Sequence, residues 1–224
     1  MKGTIILLSF TSIFIMWFTL EANATAGLIL YFIYLIFVCG FFMKKESLND
    51  FDKLVVVISV VPLIKMLQIF IDLPSMWKII VSYIIFLGLT IYYLLEFKVD
   101  LKLRENLLTL PLAILIGAIF GVVSYFVAPD FSVYPLYLLL LVVVTEELFF
   151  RGLFQNIGKK IIGNLLSILI PAIFFGLTHY SFGNLAIIYF FFAGLISGII
   201  YSSTRNILAS ILFSLTFSTY LLLR

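Results

Sequence analysis

Charge is scarce in this chain. Among 224 residues there are only 14 Lys or Arg and 11 Asp or Glu, a formal net charge of +3. Basic groups so few and so scattered exclude the phosphate-neutralising surface of a nucleic-acid-binding protein. Cysteine occurs once, as Cys39 inside an apolar run. A disulfide framework and a thiolate metal site are therefore excluded. Histidine also occurs once, as His179, and no long polar connection is present to hold a soluble domain. What the chain has instead is 64% hydrophobic and 17% aromatic residues, with a mean hydropathy of +1.25. Soluble domains are about half apolar and a quarter charged, so this is a membrane protein by composition.

Apolar runs approaching the ~20 residues that cross a bilayer fall near 4–20, 24–43, 54–72, 76–95, 106–128, 134–157, 161–179, 184–203 and 207–223. The expected fold is an all-α polytopic bundle of about eight transmembrane helices. Residues 1–105 read as scaffold helices and 106–224 as the core that carries chemistry. Lys2, Lys44, Lys45, Lys53, Lys98, Lys102, Arg104, Lys159, Lys160 and Arg205 fall in alternate connections, with Lys78 the exception. Connections rich in Lys and Arg stay cytoplasmic, which puts the N-terminus inside. Lys2, an apolar run and Ala22-Asn23-Ala24 also resemble a signal peptide, but the run is at the long end for one and reads better as an uncleaved first helix.

One stretch departs from this apolar background. Residues 142–155 read VVVTEELFFRGLFQ and place Glu146, Glu147 and Arg151 where lipid-compatible residues surround them. A charge near a bilayer centre costs at least ~2.5–3.5 kcal/mol, so an intramembrane ionisable residue points to function. Glu147 and Arg151 stand at i and i+4 with the acid first, the favourable order for a helical pair. Glu146 is rotated by about 100° from Glu147, so the same arginine does not obviously satisfy it. The cluster fits either a structural ion network or a catalytic site.

Elsewhere the signals are weaker. Lys65, Gln68 and Asp72 share a stripe that a transport pathway could use, although snorkelling and pairing explain it as well. Gly117 with Gly121, and Gly194 with Gly198, are small-residue pairs that let helices pack closely. Gly158 and Gly163 flank Lys159-Lys160 and mark a sharp turn, making the acidic helix and its successor antiparallel. That successor, 161–179, contains Pro171 and ends on His179. An imidazole beside a carboxylate in low dielectric can share proton transfer to and from a water. Counted from the Lys159-Lys160 turn, however, His179 lies about five residues beyond the level of Glu146, or ~7 Å along ideal helices.

EELFFR (146–151) followed one hairpin later by FGLTH (175–179) resembles the CAAX protease and bacteriocin-processing family of integral membrane proteins, the Abi-type intramembrane glutamic endopeptidases. The family's motifs are EExxxR, then FxxxH, then a histidine and an asparagine on a last helix. The resemblance extends from about residue 106 to 224. It implies an all-α bundle around a polar cavity, in which Glu146 activates water for attack on a peptide carbonyl and His179 assists. Glu147 and Arg151 would organise that site. A membrane-associated peptide or protein would be the substrate, in a bacterial plasma membrane, with no cofactor and no metal. Two adjacent glutamates converge poorly on one ion, and there is no second histidine for a zinc site.

The third motif departs from the family. After Thr204 to Leu212, the histidine position holds Ser214 and the asparagine position Ser218. In the family these residues are thought to hold the oxyanion, and losing one such donor typically costs ~10²–10³ in rate. Two readings stay open. Either Ser214 and Ser218, with a neighbour such as Ser210, serve as donors, or turnover is reduced or absent. In the second case the chain would act as a bacteriocin self-immunity factor or a scaffold for a partner membrane protein.

Overall fold

The computed structural model describes residues 48–70, 74–103, 105–127, 135–179 and 184–222, with single positions between 23 and 36. Every regular element among them is helical, and no strand occurs among the described residues. The helices are α1 (Asp50–Phe70), α2 (Ser75–Glu96), α3 (Leu110–Val127), α4 (Leu136–Glu147), α5 (Asn156–Thr178), α6 (Asn184–Thr204) and α7 (Ile207–Leu222). A 3₁₀ turn, Leu107–Thr109, leads into α3, and a π-helical segment, Leu148–Gln155, joins α4 to α5.

Four described stretches are long and apolar enough to cross a membrane: Ser75–Glu96, Leu107–Tyr125, Leu136–Thr178 and Leu185–Thr204. Ile207–Tyr220 is apolar but shorter. The expected figure of about eight also drew on the runs 4–20 and 24–43, which lie wholly or partly outside the described residues. The stretch Leu136–Thr178 is broken at Gly163, so the runs 134–157 and 161–179 form its two separate legs. The side chains of Lys65 and Gln68, and all of Asp72, lie outside the described residues as well.

By contacts the chain divides into two compact units, Met1–Phe86 and Leu87–Arg224. The division falls within α2. In the first unit α1 opens with a reciprocal cap: Asp52 N–H donates to Asn49 Oδ1 at 3.0 Å and Asn49 N–H to Asp52 Oδ2 at 3.1 Å. Such a box satisfies two donors that a helix start otherwise leaves unpaired.

In the second unit small residues set the helix spacing. A Cβ at Gly117 would meet Phe213 O at 2.7 Å, and one at Gly121 would meet the Tyr220 ring at 2.5 Å. Only glycine lets α3 lie this close to α7, as the small-residue spacing suggested. Two asparagines tie neighbouring turns together: Asn106 Nδ2 donates to Thr204 O at 2.7 Å, and Asn206 Nδ2 donates to Glu105 O.

The chain reverses at Gly163, whose φ of 81° and ψ of 173° break α5 into two legs. That backbone region is essentially open to glycine alone. The legs are antiparallel. A Cβ at Gly158 would lie 3.4 Å from Ser167 Cβ, Phe154 and Phe174 rings are 6.0 Å apart, and Phe150 and Phe175 rings 5.5 Å. The reversal thus comes at Gly163 and not at Lys159-Lys160, which remain in the first leg. The five-residue offset expected between Glu146 and His179 disappears, because they lie 17 residues before and 16 after the true turn.

Candidate active site

Glu147, the last residue of α4, is 1% exposed, and Arg151 in the π segment is fully buried. Arg151 Nε lies 3.5 Å from Glu147 Oε2. Both carboxylate oxygens also accept hydroxyl hydrogen bonds, Oε2 from Ser197 at 2.7 Å and Oε1 from Ser214 at 2.6 Å. Arg151 Nε donates to Ser197 Oγ at 3.3 Å, closing a ring of contacts. Buried ion pairs persist only where extra hydrogen bonds offset desolvation, and here two serines from α6 and α7 provide them. Arg151 Cζ also stands 5.7 Å from the Phe175 ring centre, within range for a cation–π contact. Its two Nη groups have no hydrogen-bond partner among the described residues.

The π-helical segment starts immediately after Glu147 and runs to Gln155. Such widened turns recur where function bends a helix away from ideal winding. Gly152 sits within it, where a Cβ would be 2.8 Å from Leu101 Cδ2.

Glu146 faces the other leg of the hairpin. Its Oε1 lies 3.9 Å from His179 Nε2, and both residues are buried. His179 Nδ1 is 2.8 Å from the Phe175 carbonyl oxygen. A carbonyl can only accept, so Nδ1 carries the hydrogen and Nε2 is the ring nitrogen turned toward Glu146. The imidazole stacks on Phe190, with ring centres 3.6 Å apart and planes inclined by 18°. Its orientation is therefore fixed from two helices.

The structure thus gathers Glu146 with His179, and Glu147 with Arg151 and Ser214. Ser214 spends its hydroxyl hydrogen on Glu147, so its distance to a substrate oxygen is not the distance that matters first. Ser210 donates to Ile207 O at 3.0 Å, an ordinary intrahelical bond. Ser218 is buried one turn beyond Ser214, and among the described residues no bond joins it to the cluster. Sequence reasoning missed Ser197, which lies between Gly194 and Gly198. A Cβ at Gly194 would be 3.3 Å from Arg151 Nη2, so the small-residue pair that read as packing also admits Ser197 to the buried pair. Nothing in linear spacing connects positions 147 and 197.

Glu147 has both oxygens engaged, leaving Glu146 and His179 as the donors that a metal could reach. Among the described residues no group of three His, Cys, Asp or Glu is placed to hold one. A cavity of about 160 Å³ lies elsewhere, lined by Lys102, Lys159, Tyr201 and Arg205 among others, and Gln155 is its link to the π segment.

These helices and this buried polar core define an integral membrane protein of the all-α class. Residues 128–219 match the family model described as type II CAAX prenyl endopeptidase Rce1-like. The resemblance to the CAAX protease family, a family of membrane proteases, therefore holds over the span that contains EELFFR, FGLTH and both serines. No curated protein and no solved structure matches the chain.

Proposed function

We propose that this chain is an intramembrane endopeptidase that hydrolyses a peptide bond of a membrane-associated peptide or protein, in a bacterial plasma membrane with its N-terminus cytoplasmic. The observation that carries the reading is the 3.9 Å approach of Glu146 Oε1 to His179 Nε2, with Nδ1 anchored on the Phe175 carbonyl oxygen. That gap is too wide for a direct hydrogen bond and suits a water held between two acceptors. Glu146 takes one proton from the water while His179 Nε2 accepts a hydrogen bond from the other. The oxygen attacks the carbonyl carbon, and the proton on Glu146 passes to the departing amine nitrogen. Glu147, Arg151, Ser197 and Ser214 hold the helix that carries Glu146. The test is cleavage of a fluorogenic peptide panel by purified protein. Glu146→Gln and His179→Ala each abolish cleavage while the protein accumulates normally; full activity in either variant removes the reading.

A second reading is supported by the engagement of Ser214 with Glu147. With that hydroxyl committed and no second histidine in the chain, an oxyanion would lack the family's third-motif donors. The chain would then bind a partner membrane protein or confer bacteriocin self-immunity without turnover. Wild-type protein inert toward every peptide, with cleavage appearing in Ser214→His/Ser218→Asn, would favour it.

A further inference from the structure

The hairpin has two unlike ends. At one end lie the connections 97–103 and 205–206 and the close of the first leg of α5 at 156–163, which contain Lys98, Lys102, Lys159, Lys160 and Arg205. The sequence between α3 and α4 (128–134) and that between α5 and α6 (180–183) contain no Lys or Arg. Ser202 Oγ donates to Asn164 Oδ1 at 2.9 Å, which aligns α6 and the second leg of α5 at the basic end.

From that end the second leg of α5, residues 164–178, rises only ~22 Å, short of the ~30 Å hydrocarbon core. Its cap is His179. The 21 residues of α6 span ~31 Å and continue past it. On α6 the stacking partner of His179, Phe190, is 6 residues from Asn184 and 14 from Thr204. Those intervals correspond to ~9 Å and ~21 Å of helix. The carboxylate–imidazole pair therefore lies far from the basic end and near the other.

Aromatic side chains occupy the hairpin between the pair and the basic end. Phe149, Phe150, Phe154, Phe174 and Phe175 are all buried there, in ring contact with one another across the hairpin. The basic cavity is lined by Gln155 and Asn156 and by none of these phenylalanines. In contrast, Leu177 and Thr178 beside His179 are only half-buried.

We infer that the Glu146–His179 site is approached from the membrane face opposite the basic connections, so that its substrates are polypeptides presented at the extracytoplasmic surface. Basic connections stay on the cytoplasmic side, which places the short end of α5 outward. The substrate class rests on the endopeptidase reading; the side of approach does not.

The test uses the full chain with Cys39→Ser and one new cysteine, either Thr178→Cys beside the site or Lys159→Cys at the basic end. A membrane-impermeant maleimide is applied to intact cells and to inside-out vesicles, each with and without Glu146→Gln. The expected result is Thr178→Cys labelled at least tenfold faster from outside, with Lys159→Cys showing the reverse, whether or not Glu146 is present. Thr178→Cys labelled from the same side as Lys159→Cys, or from neither side, overturns the inference. Because labelling needs no turnover, it stands or falls separately from the cleavage assay.

Discussion

Ser214 donates its hydroxyl hydrogen to Glu147 Oε1 across 2.6 Å, joining α7 to the end of α4 over 67 positions of sequence. Ser214 is thus bound to the second glutamate of EELFFR, and its first effect is on the stability of that carboxylate. Ser214→Ala leaves one oxygen of a buried carboxylate without this donor, an expected loss of about 1–3 kcal/mol. Ser218→Ala removes no bond to the cluster among the described residues and is expected to cost less. Thermal unfolding of the two variants in the same detergent compares them.

Glu146 and His179 act on the same water in the proposed reaction, so their losses do not add. Each single variant, Glu146→Gln or His179→Ala, is expected to lower cleavage by ~10²–10⁴. The double variant should fall little further, as residues acting as a unit do. A double variant slower by the product of the two single effects would separate their roles. Steady-state cleavage of one peptide by all three proteins decides this.

Arg151 is fully buried against Glu147. Arg151→Met strands a carboxylate in the interior, with an expected cost of ~3–5 kcal/mol. Adding Glu147→Gln removes the stranded charge and should recover a substantial part of that loss. Unfolding midpoints of the wild type, both single variants and the double variant give the coupling directly. Additive losses would mean that the pair contributes no mutual stabilisation.

The position of His179 depends on a glycine three residues earlier. A Cβ at Gly176 would meet Ile187 O at 2.6 Å and Phe191 Cβ at 3.1 Å, so Gly176→Ala must push α5 away from α6. A displacement of about 1 Å at a reacting group can cost ~10² in rate. We expect that loss in cleavage for Gly176→Ala. Gly88→Ala, where the new methyl meets nothing within 4 Å, should leave the rate unchanged.

Much of the site's membership was legible in the sequence because burying charge is costly. Glu146, Glu147 and Arg151 stand out in residues 142–155 for that reason, and the i,i+4 interval between Glu147 and Arg151 follows from helix geometry. His179 drew notice as the sole histidine and as the end of the next apolar run. The turn was placed between Gly158 and Gly163, but the offset was counted from Lys159-Lys160 inside it. Lys159 and Lys160 signal the membrane surface, but the backbone reverses three residues later at Gly163, where a positive φ is available without strain. That small difference decided whether Glu146 and His179 could meet. Gly194 and Gly198 were read correctly as close-packing residues, yet their place beside Arg151 and Gln155 depended on which helix they faced.

By itself the sequence determined that the chain is helical and membrane-embedded, since continuous apolar runs of about 20 residues match a spanning helix and not a spanning strand. It also determined which residues could carry chemistry, because ionisable groups are few and each is costly in lipid. Only the tertiary structure decided how those groups are shared: Glu146 to His179, and Glu147 to Arg151, Ser197 and Ser214. The reason is that a carboxylate's partners are chosen by the register of packed helices, and register is set by contacts between residues remote in the chain.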